Sequence, residues 1–309
     1  MMDQTAKRVA FVGSKALGLS VVHAVHQVDP ASLCGIVTID DTQDTRCALE
    51  GFRGFSSKTG KPLVVLSKAG QLGAAVASLE PDLCLVVGWY WLLRKELLEK
   101  VPDGWLGIHA SLLPKYRGGA PLVWALINGE RITGVSLFYL DEGMDTGDIV
   151  MQVPIAVGPY DTIADALERA NAASVQMIRE VYLLVLRGTA PRLPQDESAA
   201  TYAAVRQPVD GRIDWNRAAI ELHNFIRAQT HPYPGAFCLA PSGRVMRVWS
   251  AEPFPRPFSG TAGKVVMRED RHVVVACSSG TALQVLTVQL EGDAERPAQE
   301  VLRLGERLT

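Results

Sequence analysis

The first 187 residues alternate between short apolar runs and longer segments in which apolar residues recur at helical spacing. Runs that are apolar along their whole length are typical of strands buried on both faces of a sheet. Six such runs cover residues 8–13, 33–38, 62–66, 82–88, 105–110 and 134–140. The segments between them predict helices over 16–28, 69–80, 121–128 and 163–188. Because strand–helix alternation implies right-handed crossovers, the pattern predicts an α/β fold with a doubly wound, mostly parallel, Rossmann-like sheet.

The pattern changes after residue 187. The stretch GTAPRLPQDESAA (188–200) is rich in proline, alanine and polar residues, which is typical of a linker. One helical segment (218–228) follows, and then come short strands separated by turn residues, at 235–240, 243–251, 263–268, 272–278 and 282–290. This spacing predicts a smaller, mostly β, barrel-like domain. We therefore expect a catalytic domain over 1–189, a linker over 190–205 and a C-terminal domain over 206–309.

Composition narrows the class of protein. The chain has 309 residues, of which 48% are hydrophobic and 21% charged, which fits a folded protein with a sizeable core. Its formal net charge of −2 does not point to nucleic acid or an anionic membrane as a partner. No apolar stretch approaches the roughly 18 residues that a membrane span needs. Residues 1–13 predict a first strand and not a secretion signal, so we expect a cytoplasmic protein.

Cysteine and histidine spacing gives no sign of a metal site. The five cysteines are odd in number and far apart, which fits reduced thiols and neither a disulfide framework nor zinc ligands. We therefore expect no bound metal.

Candidate chemistry lies at the ends of two neighbouring predicted strands. His109 ends one apolar run, and the acidic turn DEGMDTGD (141–148) follows the next. In open α/β sheets, sites form just beyond the carboxyl ends of strands. A carboxylate such as Asp145 can fix the tautomer of a histidine and stabilise its charged form. A lone histidine on an apolar face is more often a core residue than a catalyst, so the pattern alone leaves both possibilities open for His109.

Two stretches resemble a known family. HASLLPKYRGGAPLVWALINGE (109–130) and TGVSLFYLDEGMDTGDIV (133–150) are similar to the signature of the formyl-tetrahydrofolate-dependent formyltransferases. That family contains methionyl-tRNA formyltransferase and the formylating domain of aminoarabinose-type sugar enzymes. The resemblance continues in DGRIDWNRAAIELHNFIRAQTHPYPGAF (210–237), so nearly the whole chain is covered.

The resemblance implies a one-carbon transferase with formyl-tetrahydrofolate as its donor. It implies that His109 and Asp145, 36 residues apart, are the catalytic pair. The folate contacts it implies fall on three segments: Trp91, Leu92 and Leu93; Ser111, Leu112, Leu113 and Pro114; and Asp141, Glu142, Gly143, Met144 and Asp145. A folate ring needs a flat apolar slot edged by backbone hydrogen-bonding groups, which these segments can provide.

One position departs from the family pattern. The family usually has an asparagine two residues before the histidine, where this chain has Gly107. The loss of such a donor to a developing oxyanion typically costs about 2.7–4 kcal/mol. Gly107 therefore leaves several alternatives open: transfer with another donor, a different acceptor, a formyl-tetrahydrofolate hydrolase (whose domains also lack the asparagine), or a catalytically silent folate-binding protein.

The distribution of charged residues indicates the class of acceptor. Methionyl-tRNA formyltransferases carry a basic loop after the second strand, whereas this chain reads IDDTQDTRCALEGF (39–52). From Arg206 onward, 13 basic residues stand against 11 acidic ones, which is no strong basic surface. We therefore expect a small amine as the acceptor, most plausibly a nucleotide-linked amino sugar, with Gly107, Lys115 and Arg117 near it and no nucleic acid partner. The alternative acceptor is methionyl-tRNA. The sequence predicts neither the oligomeric state nor the role of the C-terminal domain.

Overall fold

A computed structural model of the chain describes residues 7–89 and 91–309. The chain divides into two compact units. Unit 1 comprises residues 1–121, 132–156 and 168–203, and unit 2 comprises residues 122–131, 157–167 and 204–309. The predicted boundaries at 189/190 and 205/206 stay a prediction.

Strands and helices follow one another along the chain in the alternation that the sequence pattern predicts. The strands of unit 1 are β1 (Val9–Gly13), β2 (Leu33–Ile39), β3 (Leu63–Leu66), β4 (Leu83–Val87), β5 (Trp105–His109), β6 (Arg117–Gly118), β7 (Ile132–Tyr139), β8 (Ile149–Ala156) and β9 (Tyr202–Ala203). The α-helices are α1 (Lys15–Val28), α2 (Leu49–Thr59), α3 (Leu72–Leu79), α4 (Lys95–Leu98), α5 (Pro121–Ile127), α6 (Ile163–Leu186), α7 (Ala219–Arg227) and α8 (Ala298–Val301). Short 3-10 helices cover Ala69–Gln71, Glu197–Ala199 and Pro208–Gly211.

Unit 1 is built on a seven-stranded sheet with the order β3-β2-β1-β4-β5-β7-β8. The five strands from β3 to β5 are parallel, and every residue of β1 and β4 is buried, as expected for strands covered on both faces. The doubly wound, mostly parallel sheet is therefore confirmed. β7 and β8 are antiparallel additions at the β5 edge.

Helix α2 and strand β8 are among the elements of unit 1 that the sequence analysis did not predict. Helix α2 contains three aromatic or aliphatic residues on one buried face, Leu49, Phe52 and Phe55, but glycine, serine and charged residues fill the rest. Strand β8 follows directly on the acidic turn, and its proline and glutamine interrupt the apolar run. In both cases pairing with neighbours decides the structure, because local propensity is weak there.

Unit 2 contains an antiparallel sheet, which confirms the predicted β-rich C-terminal part. Its strands are β10 (Ala236–Leu239), β11 (Val245–Pro253), β12 (Val265–Arg268), β13 (Val273–Ala276), β14 (Ala282–Leu290) and β15 (Arg296–Pro297). They pair in the order β10-β11-β14-β13-β12, with β15 joined to β14.

The cysteines of both units are free thiols. Burial raises the pKa of Cys238 and of Cys277 to about 12, so both remain protonated at neutral pH. In the described part of the chain, no helix is long and apolar enough to cross a bilayer.

Candidate active site

His109 occupies the last position of β5 and is only 9% exposed. Its Nε2 lies 2.8 Å from the carbonyl oxygen of Tyr116. Because a carbonyl oxygen only accepts hydrogen bonds, Nε2 carries the hydrogen in the neutral ring and Nδ1 keeps its lone pair. The ring of Phe138 lies edge-on to the imidazole, with the centroids 6.4 Å apart. The imidazole is therefore held in one orientation with one nitrogen free.

Asp145 faces that free nitrogen. Its Oδ2 lies 3.5 Å from Nδ1 of His109, which is longer than a normal hydrogen bond, and the two groups form an ion pair only when the ring is protonated. The same oxygen accepts a hydrogen bond of 2.8 Å from the backbone N–H of Gly118. Asp145 has a φ of +54°, a left-handed conformation that aspartate tolerates better than most residues. The two residues that the sequence singled out thus form one pair.

The route by which Asp145 reaches His109 differs from the sequence expectation. β7 runs antiparallel to β5, and His109 pairs with Ser136. The carboxyl end of β7 therefore lies beside the amino-terminal part of β5, away from His109. Asp145 reaches the imidazole because the loop between β7 and β8 folds back. At Gly147 a Cβ would collide with the carbonyl oxygen of Tyr139, so this tight fold requires glycine.

The backbone of the turn at 111–114 is hydrogen-bonded to two polar side chains, Ser136 and Gln152. Ser136 Oγ donates to the carbonyl of Ser111 at 2.7 Å and accepts from the N–H of Leu113 at 3.1 Å. The Gln152 amide donates to Ser136 Oγ and to the carbonyl of Leu113, both at 2.8 Å. Ser111 itself is buried, and its hydroxyl donates to the carbonyl of Lys115. The polar edges of this turn are therefore fixed before any ligand binds.

The other two expected folate segments approach each other through side-chain contacts. Trp91 packs edge-on against Trp89, with the ring centroids 5.2 Å apart, and Leu92 is 90% exposed. An ion pair joins Lys95, just after this loop, to Glu142 of the acidic loop and raises the pKa of Lys95.

Within the acidic loop, Asp141 Oδ1 accepts from the N–H of Gly143 at 3.0 Å and from Thr146 Oγ1 at 2.6 Å. Met144 remains exposed. Leu140, which precedes the loop, packs against the same buried cluster as Trp91 and Leu93, and also against the cluster of Leu113, Phe138 and Ile149.

Gly107 is buried in β5, and the space beside it is filled with hydrocarbon. A Cβ built on Gly107 would lie 2.8 Å from Cδ2 of Leu140 and 3.1 Å from Cε1 of Phe138. The absence of a side chain at Gly107 therefore lets Leu140 and Phe138 pack closely against the backbone of β5.

The two basic residues expected near an acceptor have different surroundings. Lys115 is exposed at the end of the 111–114 turn. Arg117 is fully buried, and its guanidinium donates to both carboxylate oxygens of Glu197, at 2.8 and 2.6 Å, and to Oε1 of Gln195. The guanidinium donors of Arg117 therefore already have protein partners, and a contact of Arg117 with an acceptor stays a prediction.

Gln195 and Glu197 were not identified from the sequence. Both fall in the stretch that proline and alanine content marked as a linker. The available signal was Arg117 itself, since an arginine in an otherwise apolar and glycine-rich loop needs an acidic partner when it is buried. Among the residues that the structure describes, no cluster of three or more histidine, cysteine or acidic side chains is arranged to hold a metal ion.

Comparison with known proteins identifies relatives of both units. The formyl transferase family model matches residues 64–182, and the model of the formyl transferase C-terminal domain matches residues 206–304. The methionyl-tRNA formyltransferase of Anaeromyxobacter dehalogenans (strain 2CP-1 / ATCC BAA-258) is 35% identical over 308 residues, which covers 97% of each chain.

Solved structures share the fold at low identity. WlaRD, a sugar 3N-formyl transferase crystallised in the presence of dTDP and 5-N-formyl-THF, superimposes with a TM-score of 0.66 at 15% identity, over 94% of this chain and 100% of that one. HypX from Aquifex aeolicus in complex with tetrahydrofolic acid gives 0.65 at 19% identity, over 96% of this chain and 47% of that one.

Proposed function

The chain belongs to the formyl transferase family, and on that premise we propose that it transfers the formyl group of formyl-tetrahydrofolate to the primary amine of a small, phosphate-bearing acceptor, most plausibly a nucleotide-linked amino sugar. The observation that carries the catalytic part is the pairing of His109 Nδ1 with Asp145 Oδ2. In the proposed reaction the amine nitrogen attacks the formyl carbon, and the bond from that carbon to the folate nitrogen breaks. The amine loses one proton, and the departing folate nitrogen gains one.

His109 is the proposed proton-transfer group. Its Nε2 is occupied by the carbonyl of Tyr116, so Nδ1 is the atom that can take the proton of the attacking amine. The imidazolium that results points its new N–H towards Asp145, whose negative charge stabilises it. The positive ring also offsets the negative charge that develops on the formyl oxygen, which matters more here because position 107 has no side-chain amide.

Residues 91–93, 111–114 and 141–145 form the proposed folate site. Trp91, Leu92 and Leu93 supply apolar surface, while the fixed 111–114 turn and residues 141–145 supply backbone hydrogen-bonding groups. Formyl-tetrahydrofolate is accordingly the proposed one-carbon donor.

The charges of the loop after β2 favour a small acceptor. The ammonium of Lys15 pairs with Asp41, which is almost fully buried, and with Asp44 at 2.9 Å. Arg46 pairs with the same Asp44 at 2.7 Å. The positive charges of this region are thus neutralised by its own carboxylates. An RNA-binding loop needs cations that are available to phosphates.

Methionyl-tRNA is the second candidate acceptor. It is favoured by the 35% identity to a methionyl-tRNA formyltransferase across 97% of both chains. Under either proposal the donor, His109 and Asp145 have the same roles.

One experiment separates the candidates. The purified chain is incubated with formyl-tetrahydrofolate and, separately, a panel of nucleotide-linked amino sugars, methionyl-tRNA, or no acceptor; free tetrahydrofolate and formylated product are measured by mass spectrometry. Formylated sugar supports the first proposal, and formylmethionyl-tRNA supports the second. Tetrahydrofolate and formate without an acceptor indicate a hydrolase, and folate binding without turnover indicates a silent binding protein; either result overturns both proposals.

A further inference from the structure

Residues 189–203, here called the strap, are anchored to the backbone around the proposed catalytic pair. Near the start of the strap, Leu193 and Ile149 exchange backbone hydrogen bonds of 2.8 and 3.0 Å. Further along, β9 pairs in parallel with β6, and the N–H of Gly119 donates to the carbonyl of Ala203 at 2.8 Å. A free tether would not make a ladder at both ends.

The strap holds the residue that orients His109. The backbone N–H of Tyr116 donates to Oγ1 of Thr201 at 2.9 Å, and the N–H of Arg117 donates to the carbonyl of Thr201 at 2.9 Å. The carbonyl of Tyr116 is the partner of His109 Nε2. Tyr116 has a φ of +57°, an unfavourable conformation for a bulky residue that its surroundings must maintain.

The strap also holds the loop that carries Asp145. The side-chain amide of Gln195 donates to the carbonyl oxygens of Asp145 and Gly147, both at 2.8 Å. The Oε1 atom of the same amide accepts from Nε and Nη2 of Arg117, at 3.1 and 2.8 Å. Gln195 thus connects the backbone of Asp145 to Arg117, the neighbour of the Gly118 whose N–H binds the Asp145 carboxylate.

Arg117 and Glu197 fix the orientation of that glutamine. Their two parallel hydrogen bonds form a bidentate pair, which constrains the guanidinium plane more than a single contact would. The hydrogen bond from Arg117 lowers the pKa of Glu197, so the pair is ionised at neutral pH. With the guanidinium plane fixed, Gln195 can accept from Arg117 only in the orientation that turns its amide hydrogens towards the 145–147 backbone.

We propose that the strap is a positioning element of the transfer reaction, and that Gln195, locked by Arg117 and Glu197, sets the distance between Asp145 and His109. This inference rests on the proposed function. Gln195 touches no reacting atom in it and acts only through Asp145. A shift of about 1 Å in a catalytic group can cost about 100-fold in rate, so a side chain that fixes this loop affects turnover more than substrate binding.

The test uses the full chain and two substitutions. Gln195→Ala removes the contacts to both sides, whereas Gln195→Glu keeps the shape and the acceptors for Arg117 but loses the donors to Asp145 and Gly147. We expect kcat to fall about 10- to 100-fold in both, with KM for the acceptor changed by less than about threefold. Gln176→Ala, at an exposed glutamine of α6 whose amide donates to Glu180, is the matched control and should keep the kcat of the wild type.

Two readouts separate positioning from a general loss of structure. In an Asp145→Asn background, Gln195→Glu should lower kcat little further, because residues that act as a unit are not additive. The loss in Gln195→Glu should also appear in kcat and not in KM for the acceptor, since Gln195 touches no substrate in the proposed reaction.

Failure of this inference is distinct from failure of the proposed function. If the wild-type chain transfers no formyl group to any acceptor, the proposed function is wrong. If it does, a folded Gln195→Glu with wild-type kcat, or a loss that adds fully to that of Asp145→Asn, overturns the positioning role. Should both Gln195 variants fail to fold, Glu197→Gln takes their place, since its exposed side chain releases Arg117 without a change of size; unchanged kcat there has the same consequence.

Discussion

Leu140 lies where a side chain at position 107 would have to go, with its Cδ2 only 2.8 Å from a Cβ built on Gly107. The difference from the family pattern at position 107 therefore involves the packing of neighbouring side chains as well as the loss of an amide. Phe138 closes the same space from the other side, 3.1 Å from that Cβ. Because the contacting atoms are the ends of side chains, an added side chain has to displace them before its amide can reach a substrate.

Gly107→Asn should therefore lower stability without raising the rate of formyl transfer. Overpacking a buried site costs about 1–3 kcal/mol, and the displaced Leu140 also packs against the cluster that contains Leu113 of the proposed folate segments. Urea unfolding and steady-state kinetics measure the two effects. The double variant Gly107→Asn/Leu140→Ala makes room for the amide and should recover part of the stability. A single Gly107→Asn variant that is as stable as wild type and transfers faster would show that the amide position is simply vacant.

Lys115 and Arg117 should respond oppositely to removal of their charge. Lys115→Ala removes an exposed cation beside the 111–114 turn, so KM for a phosphate-bearing acceptor should rise by about tenfold while kcat and the free energy of unfolding hold. Arg117→Ala should instead lower the free energy of unfolding, because it leaves Gln195 and Glu197 without their partner and a cavity in place of a buried side chain. A folded, stable Arg117→Ala with a raised acceptor KM alone would support a phosphate role for Arg117.

The pairing of Lys15 with Asp41 and Asp44 predicts a stability difference that depends on pH. Hydrogen bonds, first from Arg46 and then from Lys15, lower the pKa of Asp44, so this carboxylate contributes stability above its unfolded pKa of about 4 and loses it as the pH falls. Burial lowers the pKa of Lys15, but hydrogen bonds to Asp41 and Asp44 raise it by more. The stability that this ammonium contributes therefore persists until the pH rises above about 10.4.

Lys15→Met should accordingly lower the free energy of unfolding near neutral pH. The loss should exceed the contribution of an exposed ion pair, which is at most about 1 kcal/mol. The difference from wild type should shrink as the pH falls below about 4. Thermal unfolding between pH 3 and 8 measures it, with Lys58→Met, at an exposed lysine of α2, as the control. A difference that stays constant across this range would mean that the carboxylates gain nothing from Lys15.

Salt dependence distinguishes the two acceptor classes. Nucleic-acid binding that neutralises several phosphates weakens steeply between about 50 and 200 mM salt, because counterions are released. For a small acceptor that contacts one or two cations such as Lys115, kcat/KM should fall much less over this range. We expect the weak salt dependence, and little turnover of methionyl-tRNA at about 150 mM salt. Robust turnover of methionyl-tRNA under those conditions would contradict the proposed acceptor class.

The sequence predicts the framework of this fold well because hydrophobic periodicity reports burial directly. β1 and β4 are continuous apolar runs, and both prove to be buried along their whole length. The direction of β7 is not encoded in this way. An antiparallel strand that is buried on both faces presents the same apolar pattern as a parallel one, and only the loop lengths and pairings of the folded chain decide between them.

The site shows the same division. His109 and Asp145 stand out by residue type and position, and the structure brings their side chains together. Gln195 carries no such signal, because its role depends on contacts with residues 48 and 50 positions earlier and with Arg117, 78 positions earlier. The same distance in sequence explains why the buried, paired state of Arg117 was not expected. Composition places a proline-containing segment on the surface; it does not say which backbone that segment binds.

The last prediction concerns the role of His109 itself. His109→Gln keeps a side-chain donor for the carbonyl of Tyr116 but cannot take a proton, and Asp145→Asn keeps an acceptor for the N–H of Gly118 but loses the negative charge. If the pair transfers protons, each variant should remain folded, bind a stable folate analogue and lose about 100-fold or more in kcat. The double variant should be little worse than either single one.

The pH–rate profile completes that test. A base that must be neutral gives an acid limb, and that limb should be absent in His109→Gln, whose side chain cannot take a proton. If His109 is only a core residue, His109→Gln should instead leave the rate per folded molecule unchanged. His109→Ala should then lower stability by about 1–3 kcal/mol, since the buried carbonyl of Tyr116 loses its partner. Wild-type rates in both His109→Gln and Asp145→Asn would therefore show that the pair is not catalytic, because the proposed proton transfer requires the chemistry of both side chains.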